Sequence, residues 1–329
     1  MAKDVTIQDV ATKVGVSKTT VSRYLNGRFG NMSHETRQNI KEVIEELNYR
    51  PNRQAQSLKT KKSHLLGLMV ADIENTYSGY WIKAMQEKLA GTDYQLMIMT
   101  SNNSEEQELH NIRKLLDQNI DGMMLQPVTM DAEKYRFLYE SKLPVVLIDR
   151  TLRANFWPTI QSNNFQITKQ LAQEIVANGY ERIVHVSEPI KDVSPRSERY
   201  DAMKLVAHEY QLELLTLEVD GSQELVDQFV QKIDYQAKRT AFFGANGTVL
   251  NQILKALRRN KLSFPKDCGI CGYDDLLIGE VLMPTLTAIS QRPELIGKRS
   301  TEVLLEIING NITNENIDIP ATLHLRESL

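Results

Sequence analysis

Beyond residue 63, apolar residues fall into short runs of strand length, separated by segments whose apolar positions recur at helical spacing. The pattern predicts strands at 64–71, 94–101, 121–127, 144–150, 182–187, 212–219, 240–246 and 268–275. The first helices between them are predicted near 77–91, 104–118 and 131–140. This alternation is typical of parallel sheets covered by helices on both faces. Because the segment is long for one open sheet, we expect two similar α/β halves.

The first 50 residues have instead the pattern of short amphipathic helices. Thr6, followed by Asp9, can cap a first helix, and Ser17 can cap a second. Gly15 permits the left-handed turn that a helix-turn-helix corner needs. The apolar positions of the pair are Val10, Ala11, Val14, Val16, Val21 and Leu25. The outward positions of the second helix can then reach DNA, although an ordinary amphipathic helix pair fits these residues equally well.

A third helix is predicted to begin at Ser33 and to complete a three-helix head. Its apolar stripe consists of Ile40, Val43, Ile44 and Leu47. Pro51 ends this helix, since the proline ring removes a backbone donor. Residues 52–62 are polar and basic except for Leu58, and they are too few for a helix that is stable alone in water. Order in this segment would have to come from a partner.

Charge adds an asymmetry between the two parts of the chain. The 329 residues carry a net charge of −3, but residues 1–62 contain 12 Lys or Arg against 6 Asp or Glu. A basic head on an acidic body indicates a polyanionic partner for the head alone, although a basic solvated face has the same composition. No apolar run approaches the ~20 residues of a membrane span, and the sequence begins without an apolar signal segment. With only two cysteines, these features predict a cytoplasmic protein.

Ligands of open α/β sheets bind at the carboxyl ends of the strands. The polar residues just after the predicted strands are Asp72, Asn75, Asn102, Gln126, Asp149, Arg150, Asn246, Asp274 and Gln291. Cys268 and Cys271 have the CxxC spacing of metal and redox sites, but residues three apart in a strand point to opposite faces, which favours core packing. The histidines are scattered, and no catalytic or nucleotide-binding motif appears. We therefore predict a small-molecule pocket without enzyme activity, metal or cofactor.

Over its whole length the sequence resembles the LacI/GalR family of transcriptional repressors. The matching segments include TIQDVATKVGVSKTTVSRYLNG and ELNYRPNRQAQSL in the head, then GLMVADIEN, IDGMMLQP, VVLIDR, FFGAN and GICGYDD in order. The resemblance implies a helix-turn-helix domain over 1–50, a hinge helix over 51–62 and a core over 63–329. That core would consist of two doubly wound, parallel-sheet α/β subdomains, like those of periplasmic sugar-binding proteins. The implied N-subdomain comprises 63–161 and 292–320, and the C-subdomain 162–291 and 321–329.

The resemblance implies roles for residues that contact DNA. Lys18, Thr19 and Arg23 match recognition-helix positions that read bases in the major groove, and Arg23 suits the O6/N7 edge of guanine. Leu58 matches a leucine that wedges into the minor groove at the operator centre, where it bends the duplex. The full predicted set is Thr6, Ser17, Lys18, Thr19, Thr20, Ser22, Arg23, Asn26, Asn52, Arg53, Ala55, Gln56 and Leu58.

The resemblance also implies an effector site between the subdomains. Arg199 matches the arginine that holds effector hydroxyls or a carboxylate, with Arg196 as the alternative because the residues after Arg199 depart from the family pattern. Asn246 and Asp274 match groups that hydrogen-bond sugar hydroxyls. The predicted set is Asp72, Asn75, Tyr77, Asn102, Gln126, Arg150, Arg196, Arg199, Asn246, Asp274 and Gln291. The arginines suit an acidic sugar, and these traits resemble regulators of uronate or ketodeoxygluconate use.

We therefore predict a homodimeric repressor of carbohydrate-utilisation genes that binds a palindromic operator and responds to a sugar or sugar acid. No leucine heptads follow the last matched segment, which favours a dimer over a tetramer. The alternative within the family is a catabolite-control regulator that uses a protein corepressor. A sugar-binding transport protein and an α/β enzyme are rivals from other classes. The basic head opposes the first, and the missing catalytic constellation opposes the second.

Overall fold

The computed structural model describes residues 5–30, 32–50, 62–154, 156–275, 277–311 and 315–329. Contacts divide the chain into two compact units, Met1–Ser63 and His64–Leu329, which we call the head and the core. None of the helices in the described ranges is long and apolar enough to cross a membrane.

Three helices form the described part of the head, as the sequence predicts: α1 (Ile7–Val14), α2 (Lys18–Leu25) and α3 (His34–Glu46). Thr6 and Asp9 form a reciprocal capping box at the start of α1. Ser17 caps α2 through the backbone N–H of Thr20, and Gly15 between the two helices has a left-handed φ of +76°. These local predictions are confirmed. The small apolar centre of the head consists of Val10, Ala11, Val21 and Ile40, all fully buried.

The core contains two six-stranded sheets with equivalent strand orders. The first sheet has the order β11-β5-β4-β3-β1-β2 and contains β1 (Leu65–Val70), β2 (Gln95–Thr100), β3 (Gly122–Leu125), β4 (Val145–Ile148), β5 (Thr159–Ser162) and β11 (Ile317–Ile319). The second has the order β12-β10-β9-β8-β6-β7 and contains β6 (Arg182–Ser187), β7 (Glu213–Glu218), β8 (Thr240–Gly244), β9 (Gly269–Tyr273), β10 (Thr287–Ser290) and β12 (Thr322–His324). All pairs are parallel except β10 with β12.

Helices cover the faces of both sheets. The first sheet, with α4 (Thr76–Leu89), α5 (Glu105–Asp117), α6 (Arg136–Glu140) and α11 (Pro293–Ile308), makes the first lobe. The second sheet, with α7 (Asn164–Ala177), α8 (Ser194–Glu209), α9 (Gln223–Lys232) and α10 (Gly247–Arg259), makes the second lobe. This confirms the predicted class of fold, two doubly wound α/β halves. Cys268 and Cys271 are buried in apolar clusters on opposite faces of the second sheet, so the core-packing prediction for them is confirmed.

The eight predicted strands all appear, each shortened by a residue or more except β6. Four short strands were not predicted: β5, β10, β11 and β12. They lie where the chain passes from one lobe to the other, next to the crossings expected near residues 161, 291 and 320. Segments of three or four residues carry too little periodicity to be recognised, and pairing with a longer neighbour forms them. The helix predicted at 131–140 is a 3-10 turn over Ala132–Tyr135 that continues into α6.

The tightest helix contact of the first lobe depends on a glycine. Gly297 in α11 faces the backbone of Trp81 in α4, which is itself fully buried. A Cβ atom at Gly297 would lie 2.7 Å from the Trp81 carbonyl oxygen and 2.9 Å from its Cα. Because backbone atoms are the neighbours, no side chain can rotate away to make room, and the two helices would have to separate.

We expect Gly297→Ala to lower the free energy of unfolding by about 1–3 kcal/mol, because overpacking outweighs the gain in helix propensity. Gly79 in α4 is the matched control, since it is exposed and nothing lies within 4 Å of its Cβ position. Gly79→Ala should raise the free energy of unfolding by roughly 0.5–1 kcal/mol. Urea unfolding measures both, and effects of the same sign would contradict the close-packing account.

Candidate functional site

The outward face of α2 is the candidate DNA-reading surface of the head. Lys18, Thr19 and Arg23 are exposed, while Val21 on the opposite face is fully buried. The first turn of α2 contains no acidic residue. The positive end of the helix dipole therefore lies beside Lys18 without an acidic neighbour in this turn, an arrangement that favours anions.

The other predicted DNA-contacting residues of the head lie around this face. Thr6 and Ser17 are exposed and serve as helix caps, and the Thr20 hydroxyl lies 2.9 Å from that of Ser17. Ser22 is half-buried, and its carbonyl oxygen accepts a 2.7 Å hydrogen bond from the Asn26 amide. The remaining predicted DNA-contacting residues, Asn52, Arg53, Ala55, Gln56 and Leu58, lie outside the described residues.

The core has a polar cleft at the carboxyl ends of the strands of both sheets. Its lining residues are Asp72, Asn75, Tyr77, Asn103, Gln126, Asp149, Arg150, Glu188, Val193, Pro195, Arg196, Arg199, Asn246, Asp274 and Gln291. All the predicted effector residues except Asn102 are among them. The fold thus brings together residues that are far apart in the sequence, at the carboxyl ends of the strands where ligands of such sheets bind.

Asn102 is not brought into the cleft, and its neighbour Asn103 takes that place. Both residues have left-handed backbones, with φ of 51° and 57°. The Asn102 side chain accepts a 3.2 Å hydrogen bond from the Thr100 hydroxyl. The Asn103 side chain accepts instead from Arg150, at 3.4 Å. The cleft is therefore lined by Asn103 and not by the predicted Asn102, because the turn after β2 decides which amide faces inward.

Gln291 connects the two lobes within this cleft. Its Oε1 atom accepts hydrogen bonds from the Tyr77 hydroxyl of the first lobe at 3.3 Å and from Arg199 of the second at 3.1 Å. The same oxygen accepts from Ser162, at the end of β5, at 3.1 Å. Its amide nitrogen donates to the Asp274 carboxylate. One side chain of a crossing segment therefore joins both walls of the cleft.

Arg199 and Arg196 are both engaged by protein groups. The Nε and Nη2 atoms of Arg199 donate to Asn164 Oδ1 at 3.0 and 2.9 Å, and Nη1 donates to the Ala245 carbonyl at 2.6 Å. Its guanidinium also lies 3.6 Å from the centre of the Tyr273 ring. Arg196 forms a 2.7 Å ion pair with Glu188.

Sequence reasoning missed Glu188 and Asn164. Glu188 follows β6 directly, so the strand-end rule, applied to every strand, would have found it. Its Oε2 atom accepts from Arg196 and from the Asn246 amide, at 2.7 and 2.6 Å. Asn164 is the first residue of α7 and is fully buried against Arg199. A buried position of this kind has no pattern in a single sequence.

Two aspartates occupy equivalent places in the two lobes. Asp149 follows β4 and Asp274 follows β9, strands with the same position in their sheets. Both have left-handed φ values, 63° and 62°, which cost energy for a residue with a side chain. Each also accepts a hydrogen bond from a glutamine, Gln126 for Asp149 and Gln291 for Asp274. Paired backbone outliers at facing strand ends are typical of a binding site.

Burial controls the electrostatics of the cleft. It lowers the pKa of Arg150 and brings the pKa of Arg196 down to about 10, because it disfavours the charged forms. Burial also raises the pKa of Asp274, because it disfavours the charged carboxylate. Charges that are poorly solvated interact strongly with a charged ligand, since water screens them less.

Glu108 does not line the cleft but holds the segment after β3 that contacts Arg150. It is fully buried in α5 and accepts hydrogen bonds from the Tyr135 hydroxyl at 2.5 Å and from the Val128 N–H at 3.1 Å. The segment that it holds includes Pro127, whose carbonyl accepts from Arg150 at 3.3 Å. Burial raises the pKa of Glu108 to about 7. Glu108 therefore fixes the loop against which Arg150 rests.

A helix-turn-helix head joined to a two-lobed core with a polar interlobe cleft defines a ligand-responsive DNA-binding regulator. Two family models match this chain. Bacterial regulatory proteins of the lacI family match residues 6–52, and the periplasmic binding protein-like domain matches residues 172–329.

Relatives match along nearly the whole chain. The HTH-type transcriptional regulator KdgR of Bacillus subtilis is 34% identical over 98% of this chain and 97% of its own. PtxS of Pseudomonas putida is 31% identical over 98% of this chain and 96% of its own. The lac repressor dimer bound to operator and the anti-inducer ONPF has a similar structure, with a TM-score of 0.85, 25% identity and 99% coverage of both chains.

The chain therefore belongs to the LacI family of bacterial transcriptional regulators. It is a regulator and not an enzyme, as the sequence predicted.

We expect Glu108 to make stability depend on pH. Its folded pKa of about 7 lies above the ordinary value of 4.5, so between these values the folded state binds the proton more tightly than the unfolded state. Its contribution therefore falls as pH rises from about 4.5 to about 7 and is level above that. Glu108→Gln removes this fall. The variant's free energy of unfolding relative to the original protein should rise by up to about 1.4 kcal/mol per pH unit.

Urea unfolding between pH 5 and pH 8 measures this difference. Glu106→Gln is the control, because Glu106 is exposed on the same helix, and its difference from the original protein should stay small and level. Parallel stability curves for Glu108→Gln and the original protein would refute the role of the buried carboxyl.

Proposed function

We propose that this chain represses carbohydrate-utilisation genes by binding a palindromic operator as a dimer, under the control of a sugar acid in the interlobe cleft. The observation that carries the proposal is the cleft itself. Arg150, Arg196 and Arg199 converge there with the hydroxyl-binding groups Asn246 and Asp274. Arginines bind carboxylates with paired hydrogen bonds, while aspartate and asparagine bind hydroxyls.

DNA recognition is assigned to the exposed face of α2. Lys18, Thr19 and Arg23 contact bases and phosphates in the major groove, with Arg23 directed at guanine. The family resemblance adds a hinge in which Leu58 enters the minor groove. Two heads on a two-fold dimer fit two half-sites of one operator. The protein would then act in the cytoplasm, where its operator lies.

An apolar segment of the second lobe supports the dimer. Val281 and Met283 are 74% and 97% exposed, which is unusual for such side chains unless a partner covers them. A two-fold interface pairs the same patch from both subunits, so Val281 and Met283 would face the same segment of the partner.

Effector control follows from the contacts of Gln291. A ligand that enters the cleft competes for, or adds to, the hydrogen bonds that join Tyr77, Arg199 and Asp274 through this residue. The lobes then change their relative angle, and with it the spacing of the two heads. A preference of about 1–3 kcal/mol for one lobe arrangement changes operator affinity about 5- to 150-fold. Control by a protein corepressor has less support, because these buried polar groups suit a small molecule.

The function is tested by selecting operator duplexes from random DNA and measuring binding by fluorescence anisotropy. One sugar acid from a panel of 2-keto-3-deoxygluconate, 2-ketogluconate, gluconate, glucuronate and galacturonate should release the operator, with affinity falling about 5- to 150-fold. Glucose, galactose and fructose should not. Arg23→Ala should abolish selective DNA binding and leave calorimetric binding of the acid unchanged. Release by neutral sugars alone would contradict the acidic effector, and failure to select any duplex would contradict the repressor.

The dimer is tested with Met283→Glu, which places a charge in the proposed interface. We expect sedimentation to show a shift from dimer to monomer and operator affinity to fall with it, because two half-sites are no longer joined. Tyr210→Glu is the matched control, since Tyr210 is 52% exposed on the same lobe at the end of α8. A Met283→Glu protein that remains dimeric would rule out this patch as the interface.

A further inference from the structure

We propose that Arg150, and not Arg199 or Arg196, receives the carboxylate of the effector, so that the acid end of the ligand lies against the first lobe. Arg199 then acts as a positioning residue for the groups that bind hydroxyls. The inference rests on the proposed acidic effector and adds to it the residue and the direction of binding.

Arg199 has little capacity left for a ligand carboxylate. Four hydrogen bonds join its guanidinium to Asn164, Ala245 and Gln291. One face of the guanidinium is covered by Tyr273 at 3.6 Å. A carboxylate is held best by two parallel N–H donors on one edge, and most donors of Arg199 are already committed. Its role is to hold Gln291 and the end of β8 in place.

Arg196 is neutralised by its own neighbour. Glu188 accepts from it at 2.7 Å and simultaneously holds the Asn246 amide at 2.6 Å. A second contact of Arg196 goes to the Pro189 carbonyl, at 3.1 Å. A ligand carboxylate would have to displace Glu188 and leave both Glu188 and Asn246 without their partner. Such a displacement is costly in a buried site.

Arg150 lacks comparable partners. Only 7% of it is exposed, yet no described carboxylate forms an ion pair with it. Its hydrogen bonds to Pro127 and Asn103 are long, at 3.3 and 3.4 Å, and its Nε atom is buried without a described partner. Burial lowers its pKa although the carboxylates of Asp149, Glu188 and Glu108 act to raise it, so these carboxylates compensate the charge of Arg150 only in part. A buried cation in this condition is stabilised by an anion that enters the cleft.

Asp149 provides the second group of this subsite. Its Oδ2 atom accepts from Gln126 at 2.9 Å, whereas Oδ1 is buried without a described partner. A carboxylate oxygen can only accept, so it selects a hydroxyl and repels a second acid group. Arg150 and Asp149 thus provide a hydrogen-bond donor and an acceptor, side by side, for the acid end of the ligand. The chemistry fits a hydroxylated monocarboxylate whose other hydroxyls donate to Asn246 and Asp274. The oxygens of these two side chains already accept from Val249, Gly247 and Gln291, but each oxygen has a second lone pair, whereas an N–H of Arg199 can donate only once.

The test compares acids with neutral sugars that differ only at the carboxylate, by calorimetry on the full chain. The pairs are 2-keto-3-deoxygluconate with 3-deoxyfructose, 2-ketogluconate with fructose, gluconate with glucitol, and glucuronate with glucose. Arg150→Gln should weaken binding of the preferred acid about 30-fold or more and change binding of its neutral partner much less. Arg153→Gln is the control, because Arg153 is exposed and paired with Asp192, and it should bind the acid normally.

Thermal unfolding without ligand supplies a readout that a structural role would not give. Arg150→Gln should leave the melting temperature unchanged or raise it, because it removes a buried charge that forms no described ion pair. Arg199→Gln should lower it, because Asn164 and Ala245 lose their partner. A lower melting temperature for Arg150→Gln would show a structural arginine and overturn the assignment.

The remaining outcomes separate this inference from the proposed function. If the original protein binds an acid and Arg150→Gln binds it equally well, the assignment of Arg150 is wrong and the acidic effector stands. If only neutral sugars bind, or only glucose 6-phosphate included as a phosphate probe, or no member of the panel, the acidic effector and the assignment both fail.

Discussion

The hydrogen bonds of Gln291 are the interaction on which the cleft depends. This side chain belongs to a segment that passes between lobes, and it reaches Tyr77 on one wall and Arg199 and Asp274 on the other. Because a buried amide must satisfy both its oxygen and its nitrogen, its position fixes the groups around it. The lobes share three crossings of the chain, so a change at this point is transmitted to both sheets.

Much of the fold could be predicted from the sequence because its signals are local. The capping pairs of α1 and α2 and the apolar strand runs are short patterns with direct physical causes. The strands β5 and β10–β12 escaped prediction because pairing, and not their own composition, forms them. The strand-end rule collected most of the cleft, but it could not choose between Asn102 and Asn103, whose orientations are decided by two left-handed residues in succession.

The different partners of the three arginines in the cleft could not be predicted from the sequence. Arg150, Arg196 and Arg199 are chemically identical, and all three belong to the predicted effector set. Their partners distinguish them, since one is bonded to amide and carbonyl oxygens, one is paired with Glu188, and one has only long contacts. Those partners come from distant parts of the chain, such as Asn164 and Ala245. Which arginine can still bind a ligand carboxylate therefore depends on the contacts made in the folded cleft.

The equivalent aspartates, Asp149 and Asp274, place one hydrogen-bond acceptor on each lobe of the core. Each aspartate itself has a left-handed backbone directly after a strand of its own sheet, so neither can shift far without its lobe. The distance between the two acceptors is then set by the angle between the lobes. Under the proposed function, a ligand that contacts both aspartates would act as a spacer of defined length, and a molecule with the right groups but one carbon fewer would hold the lobes at a different angle. The length of the ligand would then set the angle between the two lobes.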